Sequence, residues 1–321
     1  MIPNFFKSIF VGESENEEDK KQKKEQKDFE IFKFDGLRAQ KMEKYDYAEK
    51  CFLKALDIKE EFETMNYLSQ LYLQTDKLDK ARELLIHMTK KDPQFINTFF
   101  TLANIYFIEE NYKEMESTIQ KTIAIDKNNA LAYYLLAKAN KGQGDNIMAI
   151  AHLTEAIKQK DNYTEALLMR TELLLQMKQY KEAAEDIDTI LKKDAEDESA
   201  LILRGKLKES TGQEKEAETD YRLVIDADPF NEQAYLSLGK LFITQKKLDE
   251  AIKLFNEAIE LNPNSSVSYQ ERGRVKLLNG DKDGSVEDMK KALENSPKIG
   301  NKINGSYNYL TNNQQNIFGI Y

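Results

Sequence analysis

The residues able to act as ligands, nucleophiles or proton carriers are few in this chain. Among 321 residues there are two histidines, His87 and His152, and one cysteine, Cys51. A structural metal centre needs several thiolates, imidazoles or carboxylates brought together. Neither histidine has a neighbouring donor set, so a packing or surface role is expected for each. One cysteine excludes an internal disulfide framework and a multi-cysteine metal site. Cys51 stands beside Phe52 in an apolar helical pattern and reads as a small buried filler. The stretch GQGD at 142–145 resembles a phosphate loop only superficially, because no strand precedes it and no Lys-Ser/Thr follows. Asp and Glu number 56 but decorate solvent faces at helical spacing. The expectation is no enzyme, no cofactor and no metal.

Composition narrows the partners. The formal net charge is −9 and the isoelectric point about 5.2, and an acidic chain is repelled by phosphate backbones. Nucleic acid is therefore not an expected partner. No apolar run approaches the ~20 residues that span a bilayer. The opening MIPNFFKSIFVG is interrupted by Lys7 and followed by acid, a poor match to a secretory signal. The expected compartment is the cytoplasm.

The elements that position these residues show themselves through a period. From 14 to 27 the chain is nearly all charge and Gln, which reads as a solvated linker. Beyond it apolar residues recur at helical spacing. Ala48, Ala81, Ala149, Ala183, Ala217 and Ala251 are spaced by 33 or by multiples of 34, and Met115 and Ser285 fill the remaining slots. Twelve residues before each slot lies a second small residue, from Gly36 through Ser69, Ala103, Ala137, Thr171, Gly205 and Gly239 to Gly273. Four residues after each slot lies a large one, such as Phe52, Leu85, Tyr221 or Phe255. Of the five prolines, Pro93, Pro229, Pro263 and Pro297 all fall twelve residues after a slot. Proline inside a helix loses a hydrogen bond and clashes, so each marks the gap after one. The pattern predicts two helices of about 14 residues per repeat, with small residue facing small residue across the pair. Such a hairpin cannot bury its apolar face alone, so neighbours must stack.

On these residues the chain resembles the tetratricopeptide repeat. The segment YLSLGKLFITQKKLDEAIKLFNEAIELNP carries the signature positions Tyr235, Leu238, Gly239, Phe242, Ala251, Phe255, Ala258 and Pro263. The last repeat keeps Tyr269, Gly273, Ala292 and Pro297. The resemblance covers eight repeats from about Phe29 to Pro297. Departures are Arg170, Arg204 and Arg272 in place of the leucine before the small residue, Asp35 at that position in the first repeat, and Met115 and Thr122 in the third. The resemblance implies an all-α fold, a right-handed α-solenoid superhelix of antiparallel helix pairs. It also implies a scaffold that holds a peptide or protein on the concave face lined by first helices.

In that register the fifth residue of each repeat offers Phe100, Tyr134, Leu168, Ile202 and Leu236 in succession, with Leu135, Met169 and Leu203 beside them. The ninth offers Lys138, Lys206, Lys240 and Arg274, with Glu172 between them. An apolar strip beside positive charge suits a protein or peptide with apolar anchors and acidic flanks. The alternative is that these side chains only pack against neighbouring first helices. Some family members clamp the terminal carboxylate of heat-shock chaperones with Lys, Asn and Arg on three first helices. Here those positions hold Lys33 and Leu37, then Tyr67, then Asn97 and Thr101, so the clamp is not expected.

Three segments are therefore expected: 1–28, a short amphipathic stretch plus charged linker; 29–297, eight repeats forming one solenoid; and 298–321, an Asn-rich, partly apolar tail. In the first, Phe5, Phe6, Ile9 and Phe10 share one face of a helix too short to stand alone. It could cap the first repeat, dock on a partner or a second copy, or touch a membrane. The main functional expectation is a non-enzymatic interaction scaffold. The second is a self-assembling protein whose groove is filled by its own chain ends, giving a homo-oligomer.

Overall fold

The computed structural model describes residues 16–295. All regular structure among them is helical. The helices are α1 (Glu17–Lys41), α2 (Tyr45–Ile58), α3 (Phe62–Gln74), α4 (Leu78–Lys91), α5 (Ile96–Ile108), α6 (Tyr112–Ile125), α7 (Ala130–Gly142) and α8 (Asn146–Gln159). They continue as α9 (Thr164–Gln176), α10 (Tyr180–Lys193), α11 (Glu198–Ser210), α12 (Glu214–Ala227), α13 (Glu232–Thr244), α14 (Leu248–Leu261), α15 (Ser266–Leu278) and α16 (Lys282–Asn295). The chain forms two compact units, one through His152 and the other from Leu153, with the boundary inside α8. Within each, odd-numbered first helices and even-numbered second helices pair as hairpins, and each hairpin packs on the next. The fold class is all-α, of the α-solenoid type.

Local chemistry sets the helix ends. Asn16, Asn111, Asn129, Asp197, Asn231 and Ser265 each accept a backbone N–H of the first turn, as capping side chains do. The hairpin turns share one device. A residue with positive φ recurs at Glu43, Asp76, Glu110, Gly144, Lys178, Gly212, Lys246 and Gly280, all at one phase of the repeat. The next residue donates its N–H back to a carbonyl five positions earlier, as from Lys247 to Phe242 at 2.8 Å and from Gln179 to Leu174 at 2.8 Å. This closes the last turn of each first helix in the Schellman manner. The GQGD stretch is the fourth-repeat instance, with Gly144 at φ 81°.

All eight comb residues, Ala48 to Ser285, are fully buried. Their role differs in detail from the expected small-against-small contact. In three repeats the glycine of the first helix lies against the large residue sixteen positions on, whereas at Gly273 the backbone of the comb residue Ser285 and Asp288 Cβ come nearer, each 3.1 Å from a Cβ placed there. A Cβ on Gly36, Gly205 or Gly239 would lie 2.6, 2.4 or 2.3 Å from the rings of Phe52, Tyr221 and Phe255. Where the first-helix residue is Ser69, Ala103 or Thr171, the partner position holds the smaller Leu85, Ile119 or Ile187. Volume is traded across the hairpin, as close packing requires.

The run read as a linker is helical from Glu17 and continuous with the first repeat. Its Glu, Lys and Gln residues are good helix formers, Asn16 caps it, Glu17, Glu18 and Asp19 suit its N-terminal dipole, and Lys21 and Glu25 pair at 4.0 Å. Charged on every side, it stays exposed through Lys27 and first buries a side chain at Phe29. The amphipathic stretch at 1–12 and the tail from 298 lie outside the described residues.

Candidate protein-binding site

In the first unit the candidate face is built on α5 and α7. Phe100, Tyr134 and Leu135 are half-buried, and Phe100, Phe107 and Leu135 pack on the unit's apolar core. Core packing fixes their stems and leaves an edge of each available. Lys138 lies one turn beyond Tyr134, its Nζ 3.9 Å from the centre of the Phe107 ring. Burial lowers the pKa of this ammonium, and no carboxylate among the described residues acts to raise it. An aromatic face gives a cation ~0.5–2 kcal/mol and does not neutralise it.

The second unit matches the expectation less well. Leu168 and Met169 on α9 and Leu236 on α13 are half-buried. Ile202 and Leu203 on α11 are buried, 5% and 4% exposed, and are not available as anchors. Ile202 belongs to the same core cluster as Tyr235 and Leu238. Lys206 is half-buried; burial lowers its pKa first, Glu172 acts against that and Lys240 adds to it. Lys240 and Arg274 are exposed, and Arg274 pairs with Glu271 at 3.5 Å. Carboxylates act on the basic row here, Glu172 on Lys206 and Glu271 on Arg274, whereas none among the described residues acts on Lys138.

The cysteine and the two histidines lie in separate places. Cys51 is buried. His87 is exposed and bonded to Glu60. His152 Nδ1 lies 2.8 Å from Asn140 Oδ1, its ring stacks on Tyr133 at 6.5 Å, and burial lowers its pKa. Lys33 is buried between Glu61 and Glu63; burial works against its charge, but these partners prevail and raise its pKa. No metal-binding cluster occurs among the described residues. No helix among them is long and apolar enough to cross a membrane.

The three departing arginines have a common partner that sequence reading missed. Arg170, Arg204 and Arg272 each grip an aspartate sixteen residues on, Asp186, Asp220 and Asp288, through Nε and Nη2 at 2.6–3.0 Å. The aspartates are 4%, 1% and 2% exposed. Lys208 and Lys276 add second cations at 2.8 and 2.9 Å. The findable signal was an Arg at the leucine position with an Asp sixteen later, in three repeats.

Tetratricopeptide repeat family models match residues 198–231 and 232–265 singly, and further ones match 141–207 and 254–287. Residues 141–287 are tetratricopeptide repeats. The hairpins before residue 141 keep the same phase, turn geometry and buried comb, so the tetratricopeptide array begins at the first repeat. A crystallised tetratricopeptide repeat protein from Parabacteroides merdae is similar over 78% of this chain and 99% of its own, at 20% identity and a TM-score of 0.67. The Cut9–Hcn1 hetero-tetramer of APC/C is similar over 79% of this chain and 50% of that one, at 15% identity and a TM-score of 0.53. These likenesses are of fold. No curated protein sequence matches the chain. In general kind, this tetratricopeptide protein is a protein–protein interaction scaffold.

Proposed function

We propose that the chain is a non-enzymatic scaffold that holds a protein segment with apolar anchors and an acidic flank against the first helices α5 and α7. The observation that carries this reading is Lys138, half-buried on an aromatic ring with no carboxylate partner among the described residues. A partner carboxylate would complete it. Phe100, Tyr134 and Leu135 are the apolar contacts that would border it. Each anchor fully buried against them contributes ~1.5–3 kcal/mol, and two or three must offset the cost of immobilising the segment. The charge sets orientation and encounter rate more than affinity. Leu168, Met169 and Leu236 with Lys206, Lys240 and Arg274 give the second unit a lesser face of the same type, and a cytoplasmic setting suits such a protein.

Selection from a random peptide display library on the full chain tests the proposal. Acidic residues next to large apolar ones should be enriched, and Lys138→Glu should weaken the selected peptides about tenfold or more. Enrichment without acidic residues, or binding indifferent to Lys138→Glu, would reject it.

A further inference from the structure

On the opposite side of α5 from Phe100 the first unit contains a crevice of about 550 Å3 between α4, α5 and α6. Its floor is apolar and buried: Phe99, Leu102 and Tyr106 of α5. Ile86 of α4 and Ile125 of α6 flank it, and the Lys90 and Lys121 side chains stand at its rim. Volumes of about 300–1,000 Å3 are those of small-molecule sites.

Its origin is visible by comparison with the seventh repeat, 136 residues on, where the backbone elements are the same. There Leu254 stands where the crevice has Thr118, and Arg222 stands where it has Ile86. Arg222 reaches over the Phe242 ring, 5.8 Å from its centre, whereas isoleucine cannot reach over the corresponding Tyr106. The crevice is thus lined by smaller side chains than the seventh repeat carries, at Thr118 and Ile86 and also at Thr89 and Ala124, where that repeat has Ile225 and Glu260. The charge of the rim is reversed as well: Lys90 and Lys121 replace Asp226 and Glu257. Neither lysine pairs with a carboxylate among the described residues. The one carboxylate in the wall, Glu114, is two turns along α6 from Lys121, about 10 Å away along the axis, and acts on Tyr106 instead.

We infer that this crevice binds a small amphipathic anion of the fatty-acid class, its carboxylate between Lys90 and Lys121 and its hydrocarbon tail over Phe99, Leu102 and Tyr106. The apolar floor accounts for the tail, and the two unpaired ammonium groups at one end account for the head. This site is separate from the face on Phe100 and Lys138 and does not depend on it.

The test is calorimetric titration of the full chain with dodecanoate below its micelle concentration, with dodecanol as the uncharged control. Wild type should bind dodecanoate at one site. Thr118→Leu, which installs the residue of the seventh repeat, should abolish binding while circular dichroism stays unchanged. Ile86→Arg should do the same by covering the opening, and it stands in should Thr118→Leu fail to fold. Lys90→Glu with Lys121→Glu should weaken dodecanoate about tenfold or more and leave dodecanol unaffected. No saturable binding to wild type, or binding that survives both filling variants, would overturn the inference. So would a dimer in sedimentation that Thr118→Leu converts to monomer, since the occupant would then be a second copy.

Discussion

Replacing Arg204 by leucine strands a carboxylate. Asp220 is 1% exposed and accepts bonds from Arg204 Nε at 3.0 Å, Arg204 Nη2 at 2.8 Å and Lys208 Nζ at 2.8 Å. Removing one partner of a buried ion pair costs ~3–5 kcal/mol, because the other charge stays out of water. Lys208 remains, so Arg204→Leu should cost about 2–4 kcal/mol. Asp220→Leu should cost less, about 1–3 kcal/mol. The stranded Arg204 and Lys208 side chains are already 33% and 23% exposed and can turn outward. The double variant recreates pairs this chain already uses: Leu68 with Leu84 in the second repeat and Leu238 with Leu254 in the seventh. It should fall within ~1 kcal/mol of wild type, which makes the coupling between the two sites about 2 kcal/mol or more. Urea titration of the four proteins measures this. Hydrogen exchange in α11 and α12 should accompany it, because stacked repeats need not unfold in one step. A double variant as unstable as the two single losses added together would refute the reasoning.

Gly239→Ala places a Cβ 2.3 Å from Phe255 Cζ and should destabilise by about 1–3 kcal/mol in the same titration. Adding Phe255→Leu should recover part of the loss, since Ser69 and Leu85 fill that site in the second repeat. His152 has its pKa lowered by burial, so the unfolded chain binds its proton more readily. Its contribution is full above the ordinary histidine value of about 6.5 and is lost as pH falls through the lower folded value. Tm should drop between pH 7.5 and 5, and His152→Leu should flatten that slope; an unchanged slope contradicts it. For Asp288 burial acts to raise the pKa, but bonds from Arg272 and Lys276 outweigh it and hold it below the usual aspartate range. That contribution is present above the ordinary aspartate value and lost as pH falls through the folded one, so Asp288→Asn should remove part of the acid-induced loss of stability in α15 and α16.

The fold was legible because the period is written in the residues that cannot vary freely. Each comb slot is fully buried, so only a residue of suitable size is tolerated there. Proline marked the gaps for a backbone reason that holds at any phase. What escaped the sequence depended on relations between positions. The clasps show in sequence only as three odd arginines, because their aspartates sit on the next helix. The helical run before Phe29 looks like a linker in sequence because its helix has no apolar face to announce it. Ile202 and Leu203 share a phase with Leu168 and Met169 but are covered by the packing around α11 and α13. Burial on a first helix depends on the size of its neighbours, which the repeat phase alone does not specify. The crevice borders the irregular third repeat, but the residues that shape it are Thr118 there and Ile86 of the second repeat, not Met115, which is buried like the alanines at its slot.

The most direct test of the central claim is hydrogen exchange of the full chain with and without a selected acidic, apolar peptide. Binding to the first-helix face predicts added protection in α5 and α7, centred on Phe100 and on Tyr134 to Lys138, and lost with Lys138→Glu. Protection confined to the second helices α4, α6 and α8 would contradict it.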